Sequence, residues 1–462
     1  MKRIGITLKD LFNLKSAVLY NPDNFRTIKN ISIDSRNIPG SCLFIAVKGE
    51  RFDGHDFIDN AVSNGAEAVL VNKKKLKKLG DINIPVAAVE DTTKAMGELA
   101  GVWRKKLSTK IIGITGSAGK TSTKEMVAML LSTKYKVNKT VANHNNHIGV
   151  PLTLFSTNEK HDVLVAELGT NHFGEIEYTA NIALPDYAMI TNIGDSHLEF
   201  FLNRKGVLKE KTALFKATAE MNGTLFINED DTLLKQTARN YKKKVTYGFN
   251  SNSAVRGKVC GYTDDGRPEI EITYKKNKLK VDMPLYGEAN AKNFLAAAAV
   301  AFTMGLSVTE VSQGLGKLKQ VEKRLNVKRR KNILLIDDTY NASPVSMKEA
   351  MNLAGKVKLY DRKIAVLGDM RELGDEAAEL HRKLALPVKA NKFSEVYLIG
   401  PYMKNLYEEL QKRSVNVKHF SGRKRLNDFL KTRDLSNSVI LVKGSRGMKM
   451  EEFVRTIEEN AG

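Results

Sequence analysis

The stretch GITGSAGKTS, residues 113–122, decides how the chain around it is read. The common phosphate-binding loop asks for a Gly, four residues, then Gly-Lys-Ser/Thr. Counting back from Gly119 places Ile114 where the first Gly belongs. The surroundings still suit such a loop. KIIGIT before it reads as a buried strand, and TSTKEMVAMLLSTKY (121–135) after it reads as a helix. Gly116 and Gly119 admit backbone angles barred to other residues, so exposed amides and a helix N-terminus can wrap an anion. Lys120 can then reach outer phosphates, and the Thr121 hydroxyl can sit on Mg²⁺. A Gly-rich turn with a solvated lysine is the bland alternative. Strand, helix and Gly-Lys-Thr triplet together disfavour it.

Outward from the loop, apolar runs continue to alternate with helical stretches: DVLVAELG (162–169), DYAMITNIG (186–194) and GTLFINED (223–230). This order predicts a mostly parallel sheet with helices on both faces. Residues 243–285 alternate more like antiparallel strands (KVTYGF, PEIEITY, KLKVDMPL), and NAKNFLAAAAVAFTMG (290–305) reads as a helix. Before the loop, short strand-like runs (CLFIAV, AEAVLV, PVAAVE) are separated by helical stretches such as HDFIDNAVSNGA. Near Val321 a third block begins. NILLIDD, KIAVLGD, EVYLIG and SVILVKG are buried-strand runs ending at polar or glycine turns. They predict a doubly wound, Rossmann-like sheet with ligands at the carboxyl ends of its strands. The reading is an α/β chain of three domains, 1–108, 109–320 and 321–462.

Composition bounds the function. Of 462 residues, 42% are hydrophobic, enough for ordinary cores. FLAAAAVAF (294–302) is too short for a bilayer, which takes about 20 residues. The N-terminal MKRIGITLKDLF has no extended apolar core and no small-residue cleavage site, so no signal peptide is expected. Cys42 and Cys260 form neither a metal pattern nor a disulfide framework, which fits a reducing cytoplasm. Seventy-four Lys and Arg against 52 Asp and Glu give a net charge of +22. This suits a nucleic-acid partner, a multiply anionic small substrate, or simply scattered solvated basic faces. The clusters NKKKLKKL (72–79) and KRRK (328–331) are not interleaved with aromatics, which weighs against a nucleic-acid platform.

Three further segments gather candidate ligands. TVANHNNHIGVPLT (140–153) holds Asn143, Asn145 and Asn146; VAELGTNHFGEI places Glu167 after a strand; TNIGDSHLE places Asn192, Asp195, His197 and Glu199 after another. Acidic and imidazole groups at adjacent strand ends can share a metal with the phosphate loop. Any one of them alone is more often a structural hydrogen-bonder.

At this point the chain resembles the Mur ligase family, ATP-dependent amide-forming enzymes of peptidoglycan synthesis. The family loop reads T-G-[ST]-x-G-K-T-[ST], which residues 115–122 match throughout. SIDSRNIPGSCLFIAVKGERFDGHDFIDNA (32–61) looks like the family's uridine-nucleotide segment. DDTYNASPVSM (337–347), VLGDMRELG (366–374) and LVKGSRGM (441–448) are most similar to the member that adds D-alanyl-D-alanine (D-Ala-D-Ala) to UDP-N-acetylmuramoyl-tripeptide (UDP-MurNAc-tripeptide).

The resemblance implies ATP on Thr115, Gly116, Ser117, Ala118, Gly119, Lys120, Thr121 and Ser122. Asn290 and Asn293 would face the adenine, and Arg324 and Asp338 would close over the nucleotide. Thr121, Glu167 and His197 would serve two Mg²⁺ ions. Lys211 falls where several members carry a CO₂-carbamylated, metal-binding lysine; Lys209 lies two residues away. Lys120, His197 and Lys211 would be the catalytic set. Ser35, Arg36, Asp53, Gly54 and His55 would contact the uridine nucleotide, with Asn143, Asn145, Asn146 and Asn341 as further substrate contacts. The partners implied are the two small substrates, with no nucleic acid, no membrane insertion and a monomeric state.

The chain departs from the family pattern at Ala289, Ser343, Ala142-Asn143 and Ala213. None of these removes a phosphate or metal ligand. Three rivals remain: another family enzyme that adds a single amino acid, a nucleic-acid-binding P-loop ATPase, and a non-catalytic scaffold. Retention of Lys120, Glu167 and His197 disfavours the scaffold.

Overall fold

A computed structural model describes residues 5–80, 82–249 and 252–461; residues 1–4, which begin the stretch read for a leader, lie outside them. Three sheets succeed one another along the chain. In each, consecutive side chains point to opposite faces, so continuous apolar runs require cover on both sides.

The first sheet runs in the order Val18–Tyr20, Val86–Val89, Ala66–Asn72, Cys42–Ile45, Asn30–Ser32. All neighbours are parallel except the antiparallel edge Val18–Tyr20. Leu43, Ile45, Leu70 and Val89 pack on one face against Met96, Leu99 and Trp103 of the helix Thr92–Lys106. Phe44, Val69 and Val71 pack on the other against Ile58 and Ala61. The Thr92–Lys106 helix also docks onto the next sheet's helices. The Trp103 indole N–H donates to the Thr157 carbonyl at 2.9 Å, and Arg104 bonds the Ala183 and Leu184 carbonyls and Asp186.

The central sheet has nine strands, ordered Asn277–Asp282, Pro268–Tyr274, Val255–Tyr262, Lys244–Gly248, Thr224–Asn228, Tyr187–Ile190, Lys110–Thr115, Val163–Glu167, Val137–Lys139. KVTYGF was expected among antiparallel strands. Lys244–Gly248 instead lies parallel to both neighbours, and antiparallel pairing begins one strand later, at Val255–Tyr262 with Pro268–Tyr274. Alternation alone does not encode strand direction. Here the crossover through the helix Thr232–Thr237 sets it. Ile112, Ile114, Val165 and Phe226 face the Lys120–Leu131 helix and the all-round apolar Glu288–Thr303 helix. Ile111, Leu164 and Ile190 face the other way, onto Ile176, Leu214 and Phe215.

The third sheet runs Asn326–Arg330, Ile333–Asp338, Ser438–Lys443, Arg362–Gly368, Glu395–Ile399, Val417–Phe420. Only the first pair is antiparallel. The last strand, Ser438–Lys443, is inserted between the first and second parallel strands, which brings its carboxyl end beside that of Ile333–Asp338. Both cysteines are free. No described helix is long and apolar enough to cross a membrane.

Candidate active site

The strand Lys110–Thr115 lies between Tyr187–Ile190 and Val163–Glu167, so the phosphate-type loop emerges with the ends of both neighbours beside it. That placement fixes the loop. Ser117 N–H donates to the Asn192 carbonyl at 3.0 Å, Ala118 N–H donates to Asn192 Oδ1 at 3.0 Å, and Gly194 N–H donates to Ser117 Oγ at 2.9 Å. Gly116 and Gly119 take φ values of 149° and 79°. A Cβ on Gly116 would also press to 3.0 Å from the Thr191 nitrogen, and one on Gly119 to 2.6 Å from Asn293 Oδ1. Glycine is therefore required at both positions for conformation, and at Gly116 also for space, since the contact at Gly119 is with the end of a side chain that can shift. Lys120, half-buried, donates to the Gly116 carbonyl at 2.7 Å and so closes over its own loop. Burial holds its ammonium below the usual lysine range; Glu167 opposes that shift and Arg324 adds to it.

Glu167, 2% exposed, ends the adjacent strand. Its Oε1 accepts from Asn145 Nδ2 at 3.0 Å, and Lys124 Nζ lies 3.8 Å from Oε2. Oε2 is buried without a hydrogen-bond partner. A buried carboxylate oxygen left without a hydrogen bond is costly, and a bound cation would satisfy it. The chemistry of Thr121, Glu167 and His197 therefore fits Mg²⁺, although no three described His, Cys, Asp or Glu residues cluster as a metal cage. His197 sits in left-handed backbone (φ 52°) with its Nδ1 2.6 Å from Glu372 Oε2, across from the third sheet.

Lys211 separates from Lys209 in this fold. Lys209 is exposed over the Phe173 ring, whereas Lys211 is 1% exposed and engages in no ion pair or hydrogen bond among the described residues. Burial pushes its ammonium well below the usual lysine value; Lys120 adds to the shift and Glu210 opposes it. A buried amine whose charged form is disfavoured in this way fits the chemistry of CO₂ capture.

The opposite wall comes from the third sheet. Asp338 and Lys443 are register partners at the ends of parallel strands. Lys443, 1% exposed, bonds Asp338 Oδ2 and the Asn341 carbonyl, and Asp338 Oδ1 accepts from Leu325 N–H at 3.0 Å. Arg324 stacks 3.9 Å over the Tyr340 ring. Between the walls lies a cavity of about 760 Å³. It brings together Ser117–Ser122 (117–122), Asn143, Asn145, Glu167, His197, Asn290, Asn293, Arg324, Asp338 and Asn341. It also brings in Tyr340, Arg371, Glu372, Lys443, Ser445 and Arg446, none of which the sequence reading singled out. The strings DMREL and KGSR held the signal, an arginine three residues beyond a buried strand, but not the partner.

Other candidates lie elsewhere. Asn146 Oδ1 accepts from the Ile148 and Gly149 amides at the start of the Gly149–Phe155 helix, and Asn146 does not line the cavity. Ser35, Arg36, Asp53, Gly54 and His55 lie in the connections between the first sheet's strands, outside the cavity. There Arg36 forks onto Asp34 at 2.9 and 2.8 Å. Asp53 is 2.6 Å from His55 Nδ1 and 3.0 Å from Lys75 Nζ. The Asn72 amide donates to His55 Nε2 at 2.9 Å, so the proton sits on Nδ1, toward Asp53. A Cβ on Gly54 would lie 2.8 Å from the Val47 backbone, so this loop folds tightly back on the sheet.

Known proteins carry the same architecture. Residues 27–104 match the Mur ligase family catalytic domain, 114–301 the Mur ligase middle domain, and 323–446 the Mur ligase glutamate ligase domain. The UDP-N-acetylmuramoyl-tripeptide–D-alanyl-D-alanine ligase of Bacillus subtilis (strain 168) is 35% identical over 458 residues, spanning 98% of each chain. A crystal structure of MurF from Acinetobacter baumannii superposes with a TM-score of 0.88 at 29% identity, covering 99% of this chain and all of that one. MurF ligase from Thermotoga maritima in complex with ADP superposes with a TM-score of 0.82 at 29% identity, covering 94% of this chain and 98% of that one. With the loop, the two facing walls and full-length similarity in agreement, the chain belongs to the Mur ligase family.

Proposed function

We propose that the chain is the ATP-dependent ligase that joins D-Ala-D-Ala to UDP-MurNAc-tripeptide in peptidoglycan precursor synthesis. The observation that carries this reading is the cavity between the phosphate loop and the third-sheet wall, in a chain collinear with ligases of that name. The loop amides and Lys120 cradle the ATP phosphates. Asn290 and Asn293 face the adenine, and Arg324 and Asp338 close over the nucleotide from the far wall. Residues 1–108 bind the uridine nucleotide through Ser35, Arg36, Asp53, Gly54 and His55. Residues 109–320 carry the phosphates, and residues 321–462 present the dipeptide, with Asn143, Asn145, Asn146 and Asn341 as further substrate contacts. The chain works as a cytoplasmic monomer, and its positive field aids capture of a diphosphate substrate.

Amide formation from a carboxylate is uphill in water, so the carboxylate must gain a leaving group. The tripeptide carboxylate attacks the γ-phosphorus and ADP departs, giving an acyl phosphate. The dipeptide amine then attacks the acyl carbon, and phosphate leaves with the former carboxylate oxygen. Lys120 offsets the repulsion between the two anions as they approach. Thr121, Glu167, His197 and carbamylated Lys211 would hold two Mg²⁺ ions, which supply further charge neutralisation when bound. Enclosure between the walls limits loss of the acyl phosphate to water.

Phosphate release is the test. With ATP and Mg²⁺, release is expected only when UDP-MurNAc-tripeptide and D-Ala-D-Ala are both present. Release indifferent to both, but stimulated by DNA or RNA, would reinstate the nucleic-acid ATPase.

A further inference from the structure

Backbone strain is concentrated where the two walls of the cavity touch. His197 has φ 52°, and Leu202 has φ 65° with ψ −46°. Between them is a single helical turn, Leu198–Phe201. On the facing wall, Glu372 has φ 62° and Gly374 has φ 56°. Left-handed backbone is costly for any side chain beyond glycine, and it persists only where the surroundings hold it. His197, Leu202 and Glu372 therefore need support from outside their own turns.

The two segments support each other. Glu199 N–H donates to the Glu372 carbonyl at 3.3 Å. A Cβ on Gly374 would lie 3.4 Å from Glu199 Cα, so the two backbones run in contact. Leu198, Phe201 and Leu373 belong to one buried apolar cluster. His197 Nδ1 comes within 2.6 Å of Glu372 Oε2. Each segment is also anchored in its own wall. Arg204 Nε and Nη2 fork onto Asp195, each at 2.6 Å, and close the 195–204 stretch into a loop. Ser196 Oγ donates to Ser117 Oγ of the phosphate loop at 3.0 Å. Opposite, Met370 N–H donates to His381 Nε2 at 3.0 Å, and Arg371 N–H donates to Ser445 Oγ at 2.8 Å. The third-sheet backbone is thus fixed up to the residue before Glu372.

The close approach also sets the proton on the ring. Two bare acceptors do not come within 2.6 Å of each other, so Nδ1 carries the hydrogen. In the neutral ring, Nε2 is then left with its lone pair free for a cation. The two atoms are close without being aligned as a hydrogen bond, which a small rotation of the ring would complete. A histidine that serves a metal through one nitrogen is commonly fixed by a carboxylate on the other. Here that carboxylate comes from the opposite wall.

We propose that Glu372 is a positioning residue: from the third-sheet wall it holds the 197–202 turn and sets the orientation and tautomer of His197, so that the phosphate-side site is complete only when the two walls are docked. ATP on the phosphate loop alone meets a His197 that nothing orients, which ties phosphoryl transfer to enclosure of the cavity. This assignment rests on the ligase reading.

The test uses full-length wild type, Glu372→Ala and Glu372→Gln. Glutamine keeps an oxygen that can accept from Nδ1–H and removes the charge. Loss of such an orienting carboxylate costs on the order of ten- to a hundredfold. In Glu372→Ala we expect kcat to fall by about that factor, while the KM values for ATP and D-Ala-D-Ala move by less than about threefold. Glu372→Gln recovers most of kcat. Nitrogen-15 NMR of histidine-labelled protein saturated with ADP reads the ring itself, its signals identified by their loss in His197→Gln. Wild type and Glu372→Gln should show a protonated Nδ1 and a bare Nε2, and Glu372→Ala a mixture of tautomers. Wild-type kcat in Glu372→Ala, a Gln variant as impaired as Ala, or ring signals unchanged in Ala overturns the proposal. Wild-type protein that never consumes D-Ala-D-Ala would sink the ligase reading instead, and the NMR comparison would still decide whether Glu372 holds the ring.

Discussion

On the phosphate-loop wall, Lys120 bonds, among the described residues, only to a carbonyl of its own loop, four residues back. On the third-sheet wall, Lys443 is sealed at 1% exposure against Asp338, a partner 105 residues away in the chain. The first arrangement is local and exchangeable: Lys120 can leave Gly116 for a phosphate oxygen without opening the fold. The second is non-local and closed: Lys443 satisfies a buried carboxylate and pins the Asn341 turn. A cation that must take up a ligand is kept on a weak neutral partner. A cation that must hold a wall in shape is buried with its counter-charge.

That contrast can be broken by substitution, and the largest effect falls on the exchangeable side. Lys120→Ala is expected to lower kcat/KM by about a thousandfold, as for loss of a principal charge-stabilising donor. Its thermal midpoint should stay near wild type, since no tertiary partner is lost. Asp338→Ala strikes at stability as well as turnover. It strands a buried ammonium and should cost about 3–5 kcal/mol in urea unfolding. Combining it with Lys443→Met should restore much of that stability without restoring turnover. If Asp338→Ala alone unfolds no more easily than wild type, the closed-wall account fails.

Gly116→Ala probes the loop backbone itself. A side chain at φ 149°, pressed against the Thr191 nitrogen, should cost about 1–3 kcal/mol and weaken ADP binding in calorimetric titration. Retained ADP affinity would mean that the loop tolerates a shift the geometry forbids.

The smallest effect is on the first sheet, where the candidate uridine residues are already paired. Hydrogen bonds from Arg36 hold the Asp34 carboxyl down at about 2, against an ordinary 3.8. A carboxyl lowered on folding adds stability that is full above pH 3.8 and is lost as pH falls through about 2. The pair is exposed, so that contribution is minor. In Arg36→Ala, carboxyl NMR should show Asp34 titrating upward toward 3.8, with part of the lowering kept because the amide of residue 36 still donates to it. An unmoved titration would mean that another group sets it.

What the sequence disclosed follows the same division. The phosphate loop was legible because its strand, glycines, lysine and helix are contiguous, so the chemistry and the fold share one stretch. Glu167 was legible for the same reason, as the last residue of an apolar run. The Asp338–Lys443 pair was not, because it depends on the final strand inserting beside the first parallel strand of its sheet. The His197–Glu372 contact spans two sheets and was equally hidden. Arg371 and Arg446 stood in quoted strings without a site, since the cavity they line exists only once the third-sheet wall faces the phosphate loop. The direction of Lys244–Gly248 was misread because period-two alternation marks a strand and says nothing about its neighbours.

The central claim is that the γ-phosphoryl held by one wall passes to the tripeptide carboxylate and leaves under attack by the amine held at the other. Tripeptide labelled with ¹⁸O in both oxygens of its reacting carboxylate tests this directly. The released phosphate should carry one ¹⁸O and the new amide should retain the other. New amide formed alongside unlabelled phosphate, with the displaced ¹⁸O in another product, would contradict an acyl phosphate and with it the division of labour between the two walls.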